Sequence, residues 1–487
     1  IQIGCMLHGS FTSFTPNSTN KSLVENGMGM ATSYYASTSM SKEKYTNYSA
    51  NFNGKKTLDT LGSELSLDMD YANYTNTGDQ RFDTRYFTMN NIEFLSPYLL
   101  QSAILGGLDI KAGKIDYVKV VSSKRRIEFG LKSSLVHADN NLSYYDVSNV
   151  LPIFDSNQSN HFLYTEQIHA AYANSSIEQH KWSVQLGLRA EQTIAKGKQV
   201  LNGKSFNRNY IQLFPSFFLQ YKPSTANEFG LSFSRRIQRP SYDLMNPIRL
   251  FIDATTYKEG NPFLVPQHSY ILEVSNTYQQ KFTSTLNASY IYKSITEVLI
   301  PAENQNNITV QTNKNIGRQT IYSYNFSAPI RFATWWKSSN EISVYYSRYV
   351  GELAFMPIQS GVRSFNAKTI HTLTLPKAYT LQMDAFYQFR ERYSFSSIEP
   401  FGAVQLSVQK SFNQKRSNVK LSLNDIFYTS RFRGSSSYTN YHEEFYVQRD
   451  SRTIVVALTH RYGKQGASAN RRRSGAEEEK QRATKNG

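Results

Sequence analysis

The chain has 487 residues, a formal net charge of +17, 34 Tyr and 30 Phe, and one cysteine, Cys5. A single cysteine excludes an intramolecular disulfide framework, and no stretch reaches the roughly 18 uninterrupted apolar residues of a membrane helix. The positive charge is spread along the chain, with a true cluster only at Arg471-Arg-Arg473, which argues against nucleic acid as a partner.

The recurring local pattern is a two-residue beat. Trp182-Ser-Val-Gln-Leu-Gly-Leu-Arg-Ala190 is apolar at every second position, and so are Phe229 to Arg235, Leu381 to Phe389, Val419 to Asn424 and Ile454 to Tyr462. A strand sends successive side chains to opposite faces, so each segment has one greasy face and one wet face. Repeated segments of roughly ten residues match strands that cross a bilayer at a tilt. Mean hydropathy is −0.51, which does not oppose this, because lumen-facing polar residues dilute the lipid-facing ones. The Tyr and Phe excess fits aromatic girdles at the two membrane interfaces.

In chain order the reading places strands near 1–12, 44–53, 62–75, 100–110, 126–136, 163–176, 182–192, 211–221 and 228–237. Others follow near 268–279, 284–296, 320–332, 338–348, 366–376, 379–389, 401–412, 418–429 and 451–462. Tight turns rich in Asn, Pro, Gln and Lys fall at 177–181, 222–227, 279–281, 376–378 and 413–417. Long polar connections lie between them at 137–162, 193–210, 238–267, 297–319, 349–365, 390–400 and 430–450. The segment 111–125 is long for a tight side. Alternating short and long connections are what an outer-membrane barrel shows, with short periplasmic turns and longer outer loops. The fold class expected is therefore all-β: a transmembrane antiparallel up-and-down β-barrel over residues 1–462, with about 18 strands visible.

Parity assigns the faces. Ser183, Gln185, Arg189, Glu191, Ser232, Ser234, Arg236, Gln382, Asp384 and Gln388 read as lumen-facing. Val184, Leu186, Leu188, Phe229, Leu231, Phe233, Leu421, Leu423, Ile454, Val456 and Leu458 read as lipid-facing. Nine scattered His form no H-x-H or H-E-x-x-H pair, so no metal or cofactor is indicated. No clustered nucleophile or paired acid and His is readable either, and an enzyme is not expected.

After Tyr462 the composition changes. Residues 463–487 are polar, without apolar periodicity, and read as a solvated periplasmic tail. Ser474-Gly-Ala-Glu477 has the form of a capping box, and Glu478 with Arg482 makes an i,i+4 pair, so a short helix is the alternative.

The run Ser234-Arg-Arg-Ile-Gln-Arg-Pro-Ser-Tyr242, a loop, and then Gly260-Asn-Pro-Phe-Leu-Val-Pro-Gln-His-Ser-Tyr270 resembles a signature of TonB-dependent outer-membrane receptors. Leu213-Phe-Pro-Ser-Phe-Phe-Leu-Gln-Tyr221, Leu423-Asn-Asp-Ile-Phe-Tyr-Thr-Ser-Arg-Phe-Arg-Gly434 and the end Thr459-His-Arg-Tyr-Gly-Lys464 are similar to a Bacteroidetes-type outer-membrane β-barrel branch of that family. Physically, Pro240 stops ladder pairing where a strand ends, Gly260-Asn261-Pro262 turns the chain, and Pro266 fixes entry into the next strand. Arg239, Pro240, Ser241, Gly260, Asn261, Pro262 and Pro266 thus read as fold markers before ligand contacts.

The resemblance implies a barrel of about 22 strands. Eighteen would then be the C-terminal majority, and the plug domain through which the TonB complex acts is not present in this chain. It also implies a bacterial outer-membrane location with lipid as a partner. The function implied is uptake of a large or scarce solute: a siderophore-like chelate, a glycan or a peptide. A passive porin or structural barrel is the alternative. Ligand-contact candidates are Arg236 in the lumen and Tyr242, Phe251, Tyr257, Tyr349 and Phe355 in the outer loops; packing of the loops over the barrel mouth is an equal role for these aromatics.

Overall fold

A computed structural model gives the fold, describing residues 1–26, 28–149, 151–253, 255–302, 308–353, 356–393, 396–413, 416–438, 441–462 and 475–484. One antiparallel sheet dominates. Its first strand is in two pieces, Gln2–Phe14 and Asn17–Glu25, both paired with Ala31–Thr57 in one continuous register, Phe14 opposite Glu43 and Asn17 opposite Met40. Pro16 lies in the break, where it has no N–H to give the ladder. Among the described residues, counting that pair as one, the sheet has eighteen strands, each overlapping one of the segments expected from the two-residue beat.

Successive strands pair with their sequence neighbours from Gln2–Phe14 to Ile454–His460, the up-and-down order. Among the described pairings, the first and last strands each have a partner on one side only. Their side chains are exposed, as at Ile3, Leu7 and Phe11 and at Ile454, Val456 and Leu458.

Strand length departs from the sequence reading. Glu93–Ser122 is one strand that absorbs 111–125, leaving a tight turn at 123–124. The supposed loops 137–162, 193–210 and 349–365 are largely strand: Arg125–Asp146 pairs with Ile153–Gln179, Trp182–Gln199 with Ser205–Tyr221, and Trp336–Leu353 with Met356–Leu375. These hairpins run past the lipid, where the outer face need not be apolar, so the beat weakens while the ladder continues. The supposed loops 238–267, 297–319, 390–400 and 430–450 hold two small four-stranded sheets. One is Arg249–Asp253, Thr256–Glu259, Thr309–Asn315 and Ile295–Pro301; the other is Glu391–Tyr393, Ser396–Ile398, Arg431–Tyr438 and Tyr441–Gln448.

Strand 418–429 also stops early, at Leu423. Asp425 there has φ +44°. Its carboxylate accepts the amides of Thr429 (2.9 Å) and Ser430 (3.0 Å) and the Ser451 hydroxyl. Burial pushes this carboxyl's pKa up, but those donors outweigh it and hold it below the ordinary value.

The faces follow parity. Leu186, Leu188, Phe229, Phe233, Leu421 and Leu423 are exposed apolar side chains on the outer wall, whereas Glu191 is buried on the inner one. Aromatic residues mark the short-turn end. Trp182 stacks on Tyr221 at 4.1 Å, Phe332 lies 4.4 Å from Trp336, and Tyr278, Trp335, Tyr379 and Phe412 are exposed there. A second row contains Tyr270, which faces Tyr290, and Tyr322, which faces Tyr346. From Tyr270 to Tyr278 the strand rises about 27 Å, or about 20 Å along the membrane normal at a tilt of about 40°. Leu272 and Val274 lie exposed between the two rows. This is the apolar band and double girdle of a membrane barrel.

Candidate functional site

The inner wall carries rows of charge. Asp68, Asp70, Asp116, Lys132, Glu166 and Glu191 are buried and project inward from consecutive strands between Glu64–Thr88 and Trp182–Gln199. Cross-strand register brings them level: Asp68 faces Lys114, Lys114 faces Lys132, and Glu191 faces Ala170. Above them the same wall turns apolar, with Ala72, Ile110, Val136, Ala138, Phe162 and Tyr164 in one cluster.

The segment after Gln238 folds onto this wall instead of covering the mouth from outside. Arg239 and Pro240 are buried, a short helix follows at Tyr242–Met245, and Tyr242, Met245 and Leu264 join the apolar cluster. Gly260 makes the fold-back close: an added Cβ would fall into the Asn246 carbonyl group and 2.9 Å from the Asp243 carbonyl oxygen. Asn261 donates its amide to Leu244 O at 2.7 Å and its side-chain NH2 to Asn313 O at 3.0 Å. Arg208 donates to the carbonyls of Leu264 and Pro262 and lies 4.6 Å from the Phe206 ring. Pro266 immediately precedes the strand Gln267–Tyr278. Gly260, Asn261 and the Pro262 carbonyl thus take part in the fold-back.

Arg239 is the centre of the site. Its Nη2 donates to Glu191 at 2.6 Å and to Thr193 at 3.2 Å, and its Nη1 donates to Glu478 at 2.8 Å. Glu478 belongs to a helix, Glu477–Thr484, that sits against the charged inner wall. Lys132 Nζ is 2.9 Å from the Glu479 carboxylate, and Lys480 Nζ is 3.1 Å from Asp70. Arg482 pairs with Glu166, donates from Nε to Pro240 O at 3.0 Å, and lies 4.2 Å from the Tyr242 ring centroid. The Ala476 amide donates to Asp70 at 3.2 Å. Burial alone would lower the Arg482 pKa; Glu166 outweighs it and drives the guanidinium well above its ordinary value.

In the described part of the tail, Glu477–Thr484 is helical and Gly475, Ala476, Glu479 and Arg482 are buried, where the sequence reads as a solvated tail; Glu477 and Gln481 are exposed. Glu478 and Arg482 bond to Arg239 and Glu166 rather than to each other. Ser474, the first residue of the expected capping box, lies outside the described residues.

Of the ligand-contact candidates, Phe251 and Tyr257 pack together, and Tyr242 packs in the separate apolar cluster of the inner wall. Tyr242 is buried 6.1 Å from Tyr164, and burial raises its hydroxyl pKa far above the ordinary value. Phe251 contacts Phe82, Tyr144 and Tyr257 at ring distances of 6.5, 5.5 and 5.6 Å. Tyr257 is buried and lies 4.9 Å from Arg249. Tyr349 is buried on another stretch of wall, where Gln319 donates to its hydroxyl at 2.6 Å. Arg236 is exposed, with Nε 3.2 Å from Ser234 Oγ, and Phe355 lies outside the described residues. Ser241 is buried beside Pro240. Glu166, Lys132 and Asp70 are not singled out by sequence, and Arg482 is read there only as a partner of Glu478; the partners they have in the structure lie hundreds of residues away. Among the described residues no group of three or more His, Cys, Asp or Glu is placed to hold a metal ion.

A family profile described as "Outer membrane protein beta-barrel family" matches residues 56–462. The chain belongs to that family. It is accordingly a protein of the bacterial outer membrane. The helix Glu477–Thr484 lies beyond the matched residues. A search of curated protein sequences finds no match.

Solved structures share the fold of this family member at low identity. The ferric yersiniabactin uptake receptor FyuA from Yersinia pestis matches with a TM-score of 0.52 and 12% identity, over 93% of this chain and 75% of that one. The siderophore receptor PiuA from Acinetobacter baumannii gives 0.53 and 11%, over 94% and 81%. The copper transporter OprC gives 0.57 and 9%, over 94% and 83%.

Proposed function

We propose that this barrel is the membrane domain of a TonB-dependent receptor that takes up a large or scarce solute: a siderophore-like chelate, a glycan or a peptide. The observation that carries the reading is the inward fold of residues 239–266. A passive pore keeps a water-filled lumen. Here Tyr242, Met245, Ile248 and Leu264 are buried against the inner wall, so the lumen is occupied by ordered chain that a solute must pass or displace. The fold shared with a siderophore receptor, a ferric-chelate uptake receptor and a copper transporter supports the same reading.

The test is uptake by cells carrying the full-length gene, measured with labelled ferric chelates, oligosaccharides and peptides, with and without a protonophore. Accumulation of one class that collapses with the proton gradient is expected. Entry of small solutes of every class, unchanged by the protonophore, would identify a porin instead.

A further inference from the structure

The helix Glu477–Thr484 and the wall it touches are complementary residue by residue. Four consecutive or near-consecutive charges on the helix each meet an opposite charge from a different element: Glu478 meets Arg239, Glu479 meets Lys132, Lys480 meets Asp70, and Arg482 meets Glu166. The wall residues are all buried, and so are Glu479 and Arg482. Exposed ion pairs form and break at little cost, but buried charges persist only where partners and hydrogen bonds satisfy them. Glu166 is also held by the Tyr164 hydroxyl at 2.9 Å, and Arg239 by Thr193. The small residues fit too: Ala476 and the partly buried Ala483 pack with Ala72, Ile110, Ala112 and Tyr242.

The path is consistent. Ile454–His460 ends beside the tight turn at Arg416, whose carbonyl accepts the Arg461 amide at 2.9 Å. The chain thus leaves the barrel at the short-turn, periplasmic end. The wall residues that the helix contacts lie seven strand residues in, at Asp70, to fourteen, at Glu166, or about 18 to 35 Å along the normal at a tilt of about 40°. From Tyr462 to Gly475 the backbone spans at most about 45 Å, enough to reach that depth.

We infer that the inner wall is a binding site whose ligand is the chain's own C-terminal segment, Gly475–Thr484. Docking pins the Arg239–Tyr242 turn inside the lumen from the periplasmic side and obstructs passage. Arg482 bridges the parts by holding Glu166 on the wall, the Pro240 carbonyl on the turn and the Tyr242 ring at once. The conclusion is independent of which solute the barrel carries and of whether transport is energised.

A disulfide tests the docking. A Cβ on Gly475 would lie 3.7 Å from the Asp68 Cβ, within the spacing of a disulfide. In the full-length protein with Cys5→Ser, the pair Gly475→Cys and Asp68→Cys should cross-link under mild oxidation in the outer membrane. Arg482→Glu should abolish that cross-link and raise single-channel conductance in planar bilayers, and adding Glu166→Arg should restore both. Ending the chain after Tyr462 should raise conductance as Arg482→Glu does. Where the truncated chain fails to insert, the charge-exchange pair carries the decision. A cysteine pair that stays reduced in heat-modifiable, folded protein would overturn the inference, as would conductance unchanged by Arg482→Glu or failure of the exchanged pair to recover.

Discussion

Replacing Leu186 with Arg should destabilise the barrel, whereas the same change at its neighbour Gln185 should not. Leu186 is 55% exposed on the outer wall. It stands four residues from the girdle residue Trp182, about 13 Å along the strand and about 10 Å along the normal at a tilt of about 40°. An apolar band about 25 Å tall has its middle near that depth, where an added Arg costs about 2–4 kcal/mol. About 3 kcal/mol corresponds to a shift on the order of a hundredfold in the folded-to-unfolded ratio. Gln185 points the other way, sharing its face with Arg189 and Glu191, which pair in the lumen. Arg there stays hydrated and should change stability by less than about 0.5 kcal/mol. The assay is the fraction of full-length protein running as the compact, heat-modifiable band after equilibration in lipid vesicles across a urea series. Equal losses at the two positions, or a larger loss at Gln185, would refute the assignment of faces.

Gly260→Ala should disrupt the fold-back of residues 239–266, because its new methyl meets backbone at Asn246 and Asp243; the cost expected is about 1–3 kcal/mol, read as faster amide exchange at Asn261 and Leu264. Phe251→Ala removes a ring shared by Phe82, Tyr144 and Tyr257 and should loosen the hairpin Arg249–Glu259 by about 3 kcal/mol; exchange left unchanged there, with solute binding lost, would instead make Phe251 a ligand contact. Asp425 should confer acid sensitivity on its turn. Its folded carboxyl has a lowered pKa, so its stabilisation is complete above the unfolded value near pH 4 and is lost as pH falls through the folded one. Asp425→Asn should weaken protection of the Thr429 and Ser430 amides at neutral pH and flatten its dependence as pH falls below about 4.

Much of the membrane-embedded fold was legible because lipid imposes a rule on sequence. Trp182 to Ala190 must alternate, and the tight turn 222–227 must reverse the chain close to the interface. Outside the bilayer that rule lapses. Arg125–Asp146 and Ile153–Gln179 continue as one ladder past the lipid, with Ala138, Leu142, Tyr144 and Phe162 buried on the inner face and His137, Asp139 and His161 on the outer one, so the greasy outer face that marks a membrane strand is lost and the stretch reads as loop. The lumen site was half legible. Arg239 and Pro240 stood out by motif, but their partners Glu191, Glu478 and Arg482 are 48, 239 and 242 residues away in sequence. No local spacing reports such pairs. The tail shows the same limit: the helix-forming signal around Glu477 was present, yet its charges answer the wall rather than one another.

The most direct measurement of the central claim is a cysteine scan from Ser183 to Ala190 in the full-length protein with Cys5→Ser, in native outer membranes. Each position is reacted with a small water-soluble maleimide, and separately with a fluorophore quenched by spin-labelled lipid. Expected is a strict period of two: maleimide reaction at Ser183, Gln185, Gly187 and Arg189, and lipid quenching at Val184, Leu186, Leu188 and Ala190. Adjacent positions that label and quench alike would contradict a strand crossing the outer membrane with one face to lipid and one to the lumen.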